Sequence, residues 1–90
     1  MRGTGDTWTT EGEDAATESA VLLRVLDLHP AGLTTAELIR DVGGAEAGFA
    51  ARDAVARAVR ELIGAGLLRR SGELVLPTRA ALRFNELSDR

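Results

Sequence analysis

The side chains best suited to bind a ligand in this 90-residue chain are its arginines. All 11 basic residues are arginines, and the chain has no cysteine. A guanidinium group is planar and can form two parallel hydrogen bonds with a carboxylate, a phosphate or the edge of a guanine base. Arg52, Arg57 and Arg60 lie close together along the chain, and Arg69 and Arg70 are adjacent. This grouping makes an anion-binding surface one interpretation of the central part of the sequence.

Two acidic residues offer a second interpretation of the same segment. Asp53 lies four residues before Arg57 and Glu61 lies four residues after it. This is the spacing of ion pairs along one face of a helix, so the arginines could equally belong to a solvated helix surface laced by such pairs. The absence of lysine and the abundance of alanine and glycine also indicate a genome of high G+C content, which lowers the weight of any single arginine.

The composition excludes several kinds of active site. Without cysteine there is no disulfide framework, no thiolate zinc site and no cysteine nucleophile. His29 is the single histidine, and the sequence has no nucleophile–base pair, no glycine-rich phosphate loop and no carboxylates at metal-ligand spacing. We therefore expect neither an enzyme nor a protein with a cofactor or a bound metal.

The charge and hydropathy of the chain bear on its location. The net charge is −3, and the excess of acid lies in residues 1–33. No apolar run approaches the ~20 residues that a membrane-spanning helix requires, and the N-terminus lacks the apolar stretch of a secretory signal. We expect a soluble, cytoplasmic protein that does not enter a membrane.

The apolar residues divide the chain into a tail and one domain. All but two of the apolar residues larger than alanine lie between Val21 and Leu87. Residues 1–14 are rich in glycine, threonine and acid, which predicts a disordered tail, and Trp8 within it is either loosely packed or a docking anchor. Residues 15–90 are predicted to form the folded domain, which is small enough to gain stability from a partner or a second copy.

Periodicity and capping signals predict four helices and one β-hairpin in this domain. Thr34 and Glu37 have the spacing of a capping box, and Thr78 is a plausible N-cap for the last helix. Phe49 is expected to fill the core beside a small-residue loop, and a short turn at Ser71 and Gly72 is expected to join the strands. The predicted helices cover residues 15–28, 35–42, 50–65 and 79–87, and the strands cover 67–70 and 73–76.

The order of these elements resembles that of a winged helix-turn-helix domain. Leu-Thr-Thr-Ala-Glu-Leu at residues 33–38 resembles the start of helix two in small bacterial DNA-binding regulators of the MarR/ArsR-like superfamily. Val-Ala-Arg-Ala-Val-Arg-Glu-Leu at 55–62 and Gly-Leu-Leu at 66–68 resemble their recognition helix and first wing strand. The resemblance implies a mainly α fold with a small β-hairpin, in the order α-α-α-β-β-α.

The resemblance also implies a function, that of a small transcriptional regulator that binds double-stranded DNA. In such regulators the third helix enters the major groove, and the wing, which is short in this chain, lies on the backbone. The arginines of the third helix would face base edges or phosphates, and the start of helix two would contact phosphate. Carried over by position, the DNA-binding residues are Thr35, Arg52, Arg57, Arg60, Arg69 and Arg70.

Two further expectations concern partners. A homodimer would double the contacts that one domain makes with a half-site, with Val21 and Leu22 of the first helix and Phe84 and Leu87 of the last helix at its interface. The alternative is a winged-helix protein–protein interaction module without DNA binding, which the acidic balance, the short wing and the acidic tail favour. The tail could also be an autoinhibitor that competes with DNA for the arginines.

Overall fold

The computed structural model describes residues 2–44 and 48–88, with side chains for residues 14–44 and 48–88. These ranges contain four helices and three short strands, which confirms a mainly helical chain with a small antiparallel β component. None of these helices is both long and apolar enough to cross a lipid bilayer. In chain order the elements are α1 (Arg2–Leu28), β1 (Leu33–Thr34), α2 (Thr35–Gly43), α3 (Phe49–Gly64), β2 (Leu68–Ser71), β3 (Leu74–Pro77) and α4 (Arg79–Ser88).

The first helix begins earlier than its apolar residues indicate. α1 starts at Arg2, whereas the sequence predicts a helix only from residue 15. Extending a helix that already exists avoids the cost of a new nucleus, so a polar segment can continue a helix without an apolar period of its own. The side chain of Trp8 lies outside the described residues, and the division into a 1–14 tail and a 15–90 domain stays a prediction.

The start of α2 follows the predicted capping box. The backbone N–H of Glu37 donates to Thr34 Oγ1 at 3.1 Å, and the backbone N–H of Thr34 donates to Glu37 Oε1 at 2.9 Å. Thr34 has the extended backbone of an N-cap, and the same conformation lets it end the strand β1. The capping box therefore joins α2 to the sheet at a fixed point.

The sheet contains a strand that the sequence did not predict. Its order is β1-β3-β2, with both pairings antiparallel, so the hairpin is extended by the two residues of β1. The hairpin turn consists of Gly72 and Glu73, one residue later than expected. Of these two residues, Gly72 has a positive φ, 63°, and Glu73 does not, which is the pattern of a tight type II′ turn with glycine in its first central position.

The core lies between α1, α2, α3 and the inner face of the sheet. Its fully buried side chains come from each of these elements, so none of them is an independent unit. The largest of them are Leu38, Leu68, Val21, Val25, Val55, Val59 and Val75.

Two residues differ from their predicted places in this core. Val21 was expected at a dimer interface, but it is 0% exposed, because it and Val25 are four residues apart on the face of α1 that packs inward. Phe49 was expected in the core, but it is 85% exposed at the first position of α3. At 100° per residue Phe49 stands about 120° from Val55, outside the apolar stripe that α3 buries.

The last helix is fixed to the body of the domain by Thr78. The Thr78 hydroxyl donates to the Gly66 carbonyl at 2.7 Å and accepts from the Ala81 backbone N–H at 3.2 Å, which confirms the predicted N-cap. Ala81 is buried, whereas Phe84 and Leu87 are exposed on another face of α4. The helix therefore covers the core with a short inner face and presents apolar side chains outward.

Candidate nucleic-acid interface

One exposed stripe of α3 carries the residues available for contact with a ligand. Phe49, Arg52, Asp53 and Arg60 are exposed and Ala56 is half-buried. Their spacing of three, four, seven and eleven residues from Phe49 places them on one side of the helix. Val55 and Val59 hold α3 against the core and so fix the direction in which this stripe points. The helix thus presents an aromatic ring and two guanidinium groups along one line.

Arg57 lies at the edge of α3 that faces α1, among acidic residues. Its guanidinium is 3.5 Å from Asp53 Oδ2, which confirms the predicted ion pair, and 4.0 Å from Asp14 Oδ1 of α1. Glu61 lies beside it, but within the described residues its carboxylate is not within ion-pairing distance of Arg57. A shallow cavity surrounds this position, lined by Asp14, Glu18, Ala54, Arg57, Ala58 and Glu61.

The hairpin and the start of α2 meet at Thr35. Arg70 of β2 donates from Nη1 to Thr35 Oγ1 at 3.4 Å, although the two residues are 35 positions apart in the chain. The sheet register explains the contact, because Arg70 pairs with Val75 and Val75 pairs with Leu33, two residues before Thr35. The fold therefore brings together Thr35 and Arg70, for which the family resemblance implies separate contacts with the DNA backbone.

Arg69 points away from this contact. It is adjacent to Arg70 in β2, and consecutive side chains of a strand lie on opposite faces of a sheet. Its partner in the register is Leu76, whose side chain lies on the face opposite the buried Val75. Arg69 and Arg70 therefore present positive charge on two sides of the hairpin instead of one.

The arginines differ in whether a carboxylate neutralises them. Arg24, Arg57 and Arg83 have carboxylate oxygens within 4.0 Å, from Asp27 and Asp41, from Asp14 and Asp53, and from Glu86 respectively. Within the side chains that the structure describes, the arginines without such a partner are Arg40, Arg52, Arg60, Arg69, Arg70 and Arg79. Four of these six belong to α3 and the hairpin, so these two elements carry most of the uncompensated positive charge.

Acidic residues also lie near this surface. Glu37 is engaged in the capping box of α2 through its Oε1 atom. Glu73 occupies the hairpin turn and is exposed. Asp53 lies on the α3 stripe, where its carboxylate is shared with Arg57. The surface is therefore mixed in charge, and its positive character depends on the unpaired guanidinium groups.

The four residues expected at a dimer interface differ in how exposed they are. Phe84 is 69% exposed and Leu87 is 52% exposed, and together with Ala80 they follow the spacing i, i+4, i+7 along α4. Leu22 is partly buried against the core. Val21, as described above, has no accessible surface, so α4 supplies the larger part of any apolar contact area that these residues offer.

Comparisons of the chain with protein-family models, with curated proteins and with solved structures found no match. The geometry described above is therefore the basis for the functional argument. Phe49 is the residue of this surface that sequence reasoning placed elsewhere. Its angular position on α3 relative to Val55 is the signal that could have located it outside the core.

Proposed function

We propose that this chain is a winged helix-turn-helix domain that binds double-stranded DNA as a small transcriptional regulator. In this proposal α3 enters the major groove and the β2–β3 hairpin is a short wing that contacts the backbone. The observation that carries it is the set of four exposed guanidinium groups on α3 and the hairpin that have no carboxylate partner within the described side chains. These residues are Arg52, Arg60, Arg69 and Arg70.

The dimensions of α3 support this mode of binding. Arg52 and Arg60 are eight residues apart, which is roughly 12 Å along a helix at 1.5 Å per residue. A B-DNA major groove is about 12 Å wide and admits one helix, and two side chains on the same side of that helix can both face the base edges. A guanidinium in the groove can bind guanine O6 and N7, and one at its edge can bind a phosphate.

The contact between Arg70 and Thr35 supports the position of the wing. A helix N-terminus has backbone N–H groups that favour a phosphate, and Thr35 is the first residue of α2. Arg70 adds a positive charge at this end of α2, since its guanidinium is 3.4 Å from the Thr35 hydroxyl. One phosphate could therefore be bound by the hairpin and by α2 at once.

Arg57 has a smaller part in the proposal than the sequence implied. Its two carboxylate neighbours must be displaced before it can bind a phosphate. Each of these exposed pairs is worth about 0–1 kcal/mol, so displacement is possible but reduces the net gain. We therefore infer that Arg52, Arg60 and Arg70 contribute more to DNA affinity than Arg57.

A second copy of the chain completes the proposed regulator. One domain covers one half-site, and a two-fold dimer binds two half-sites about one helical turn apart. The exposed Phe84 and Leu87 of α4 supply an apolar surface on which two copies can pair. We infer a binding protein and not an enzyme, with the DNA duplex and a second copy as its partners.

Fluorescence anisotropy with a labelled duplex of roughly 30 base pairs, long enough for two half-sites, tests this function. The native protein is compared with Arg60→Ala/Arg70→Ala and with the matched control Arg79→Ala/Arg83→Ala, which removes the same charge from α4. Affinity is measured over a range of salt concentrations, because the logarithm of the binding constant falls with a slope of about −0.9 per phosphate contact.

The two double variants are expected to differ in DNA affinity and in the dependence of that affinity on salt. Loss of two phosphate contacts reduces the salt slope by about 2, whereas loss of base contacts weakens binding at every salt concentration. The control keeps the native slope, since α4 takes no part in the proposed DNA contacts, and sedimentation velocity checks that the control still forms the native oligomer. Equal losses in both double variants, or no binding by the native protein at low salt, would overturn the proposal.

Exposed apolar residues favour the alternative, a winged-helix protein–protein interaction module. Leu23 is 62% exposed beside a shallow groove between α1 and α2, where Arg24 and Asp41 form an ion pair at 3.1 Å. The groove also includes the apolar Ala20 and Val42. An apolar patch rimmed by polar residues is typical of a protein-binding surface. A protein that does not bind DNA even at low salt would direct attention to this groove and to α4.

A further inference from the structure

Phe49 is more exposed than any other large apolar side chain that the structure describes, at 85% against 69% for Phe84 and 62% for Leu23. The fold gains little burial from this ring, because the core beside α3 is filled by Val55, Val59 and other aliphatic residues. An aromatic side chain that does not stabilise the domain is available to contact a ligand.

The location of Phe49 connects it with the proposed DNA-binding surface. It is the first residue of α3, and the N-terminal residues of a recognition helix are those that approach base edges. It shares one side of the helix with Arg52, Ala56 and Arg60. The ring therefore stands at the N-terminal end of a stripe whose two arginines attract a polyanion.

The chemistry of the ring restricts what it can contact in a major groove. The edges of guanine, adenine and cytosine present hydrogen-bond donors and acceptors there, which a phenyl ring cannot satisfy. Thymine adds the 5-methyl group, the one apolar group in the groove, which apolar side chains including phenylalanine contact. The charge of Arg52, three residues along the helix, is free to bind the phosphate of a neighbouring nucleotide.

We propose that Phe49 is a sequence-determining residue that packs against the 5-methyl group of a thymine. This inference rests on the proposed DNA-binding function and adds a base preference to it. The methyl group is covered by the ring in the complex, so the free energy that favours thymine is hydrophobic and nearly independent of salt. Phosphate contacts by the arginines are by contrast salt-dependent, which separates the two contributions.

The experiment begins with selection of bound sequences from a randomised duplex library by the native protein. The selected duplex is then synthesised with deoxyuridine in place of each thymine in turn, which removes only the methyl group. Binding to each pair of duplexes is measured by anisotropy for the native protein, for Phe49→Ala and for the matched control Leu23→Ala, which truncates an exposed apolar side chain of α1. Thermal unfolding of each variant checks the fold, and Phe49→Ala should leave it unchanged because the ring is exposed.

The native protein is expected to lose about fourfold in affinity at one thymine when its methyl group is removed, the value of burying one such group. Phe49→Ala should bind both duplexes equally, and Leu23→Ala should keep the native ratio. A thymine preference that survives Phe49→Ala, or a native protein that binds DNA without selecting a sequence, overturns the role of Phe49 but leaves the binding function intact. A native protein that binds no duplex even at low salt overturns both.

Discussion

Thr78 provides the sharpest test of how this small domain is held together. Its hydroxyl accepts from the Ala81 N–H at 3.2 Å and donates to the Gly66 carbonyl at 2.7 Å, so one oxygen joins the start of α4 to the turn after α3. Thr78→Val has nearly the same shape and removes both hydrogen bonds. The backbone N–H of Thr78 donates to the Leu67 carbonyl at 3.0 Å, and valine keeps this bond because it does not involve the side chain.

The expected loss can be worked out from the two bonds. Removing an N-cap oxygen costs about 1 kcal/mol. The Gly66 carbonyl is in an exposed residue and can bind water instead, so its share is at the low end of the usual range, about 0.5 kcal/mol. The total of about 1.5 kcal/mol is a substantial part of the roughly 5–15 kcal/mol by which folded proteins are stable. It corresponds to a fall in Tm of roughly 6–12 °C.

Urea unfolding followed by far-UV circular dichroism measures this loss, with Thr78→Ser as the matched control. Serine keeps the hydroxyl and loses only a methyl group, so it should remain within about 0.5 kcal/mol of the native protein. If Thr78→Val and Thr78→Ser lose the same free energy of unfolding, the hydroxyl is not the attachment of α4, and the reasoning is refuted.

Three further perturbations have expected outcomes. Gly64→Ala should stabilise the protein by about 0.5–1 kcal/mol in urea unfolding, because a Cβ there meets nothing within 4 Å and alanine favours the helix. Gly32→Ala should instead destabilise it by about 1 kcal/mol, because its Cβ would lie 2.9 Å from Leu76 Cδ2, which can move, and 3.1 Å from Leu74 Cβ, which moves less easily. Phe84→Asp should convert the proposed dimer to a monomer in sedimentation velocity. Asp14→Asn should tighten DNA binding by up to about fivefold in anisotropy, since it removes a carboxylate 4.0 Å from Arg57.

Each of these has a result that would count against it. The two glycine variants refute the packing argument if both change stability in the same direction. An unchanged dimer in Phe84→Asp excludes α4 as the interface between copies. DNA affinity that is equal or weaker in Asp14→Asn counts against competition between α1 and DNA for Arg57, with Asp27→Asn as a control that removes the same charge from a distant part of α1.

The sequence determined those features that depend on neighbours within four residues. The capping box of Thr34 and Glu37, the N-cap at Thr78 and the pair of Asp53 with Arg57 are all found as expected, because their partners are set by spacing along one helix or turn. The bounds of α2, α3 and α4 follow from the same local signals to within one residue at every end. The start of α1 is the exception, since a polar helix that extends an apolar one has no period to read.

Only the tertiary structure decided which distant residues meet and which faces remain open. The strand β1 consists of two residues, too few to produce an alternating pattern, and it exists because β3 passes beside it. The contacts of Arg70 with Thr35 and of Arg57 with Asp14 cross 35 and 43 positions of the chain, so spacing could not predict either. The burial of Val21 and the exposure of Phe49 depend on how the core is filled. An apolar residue type indicates that burial is favourable, but the packing of the other elements determines whether there is space for it.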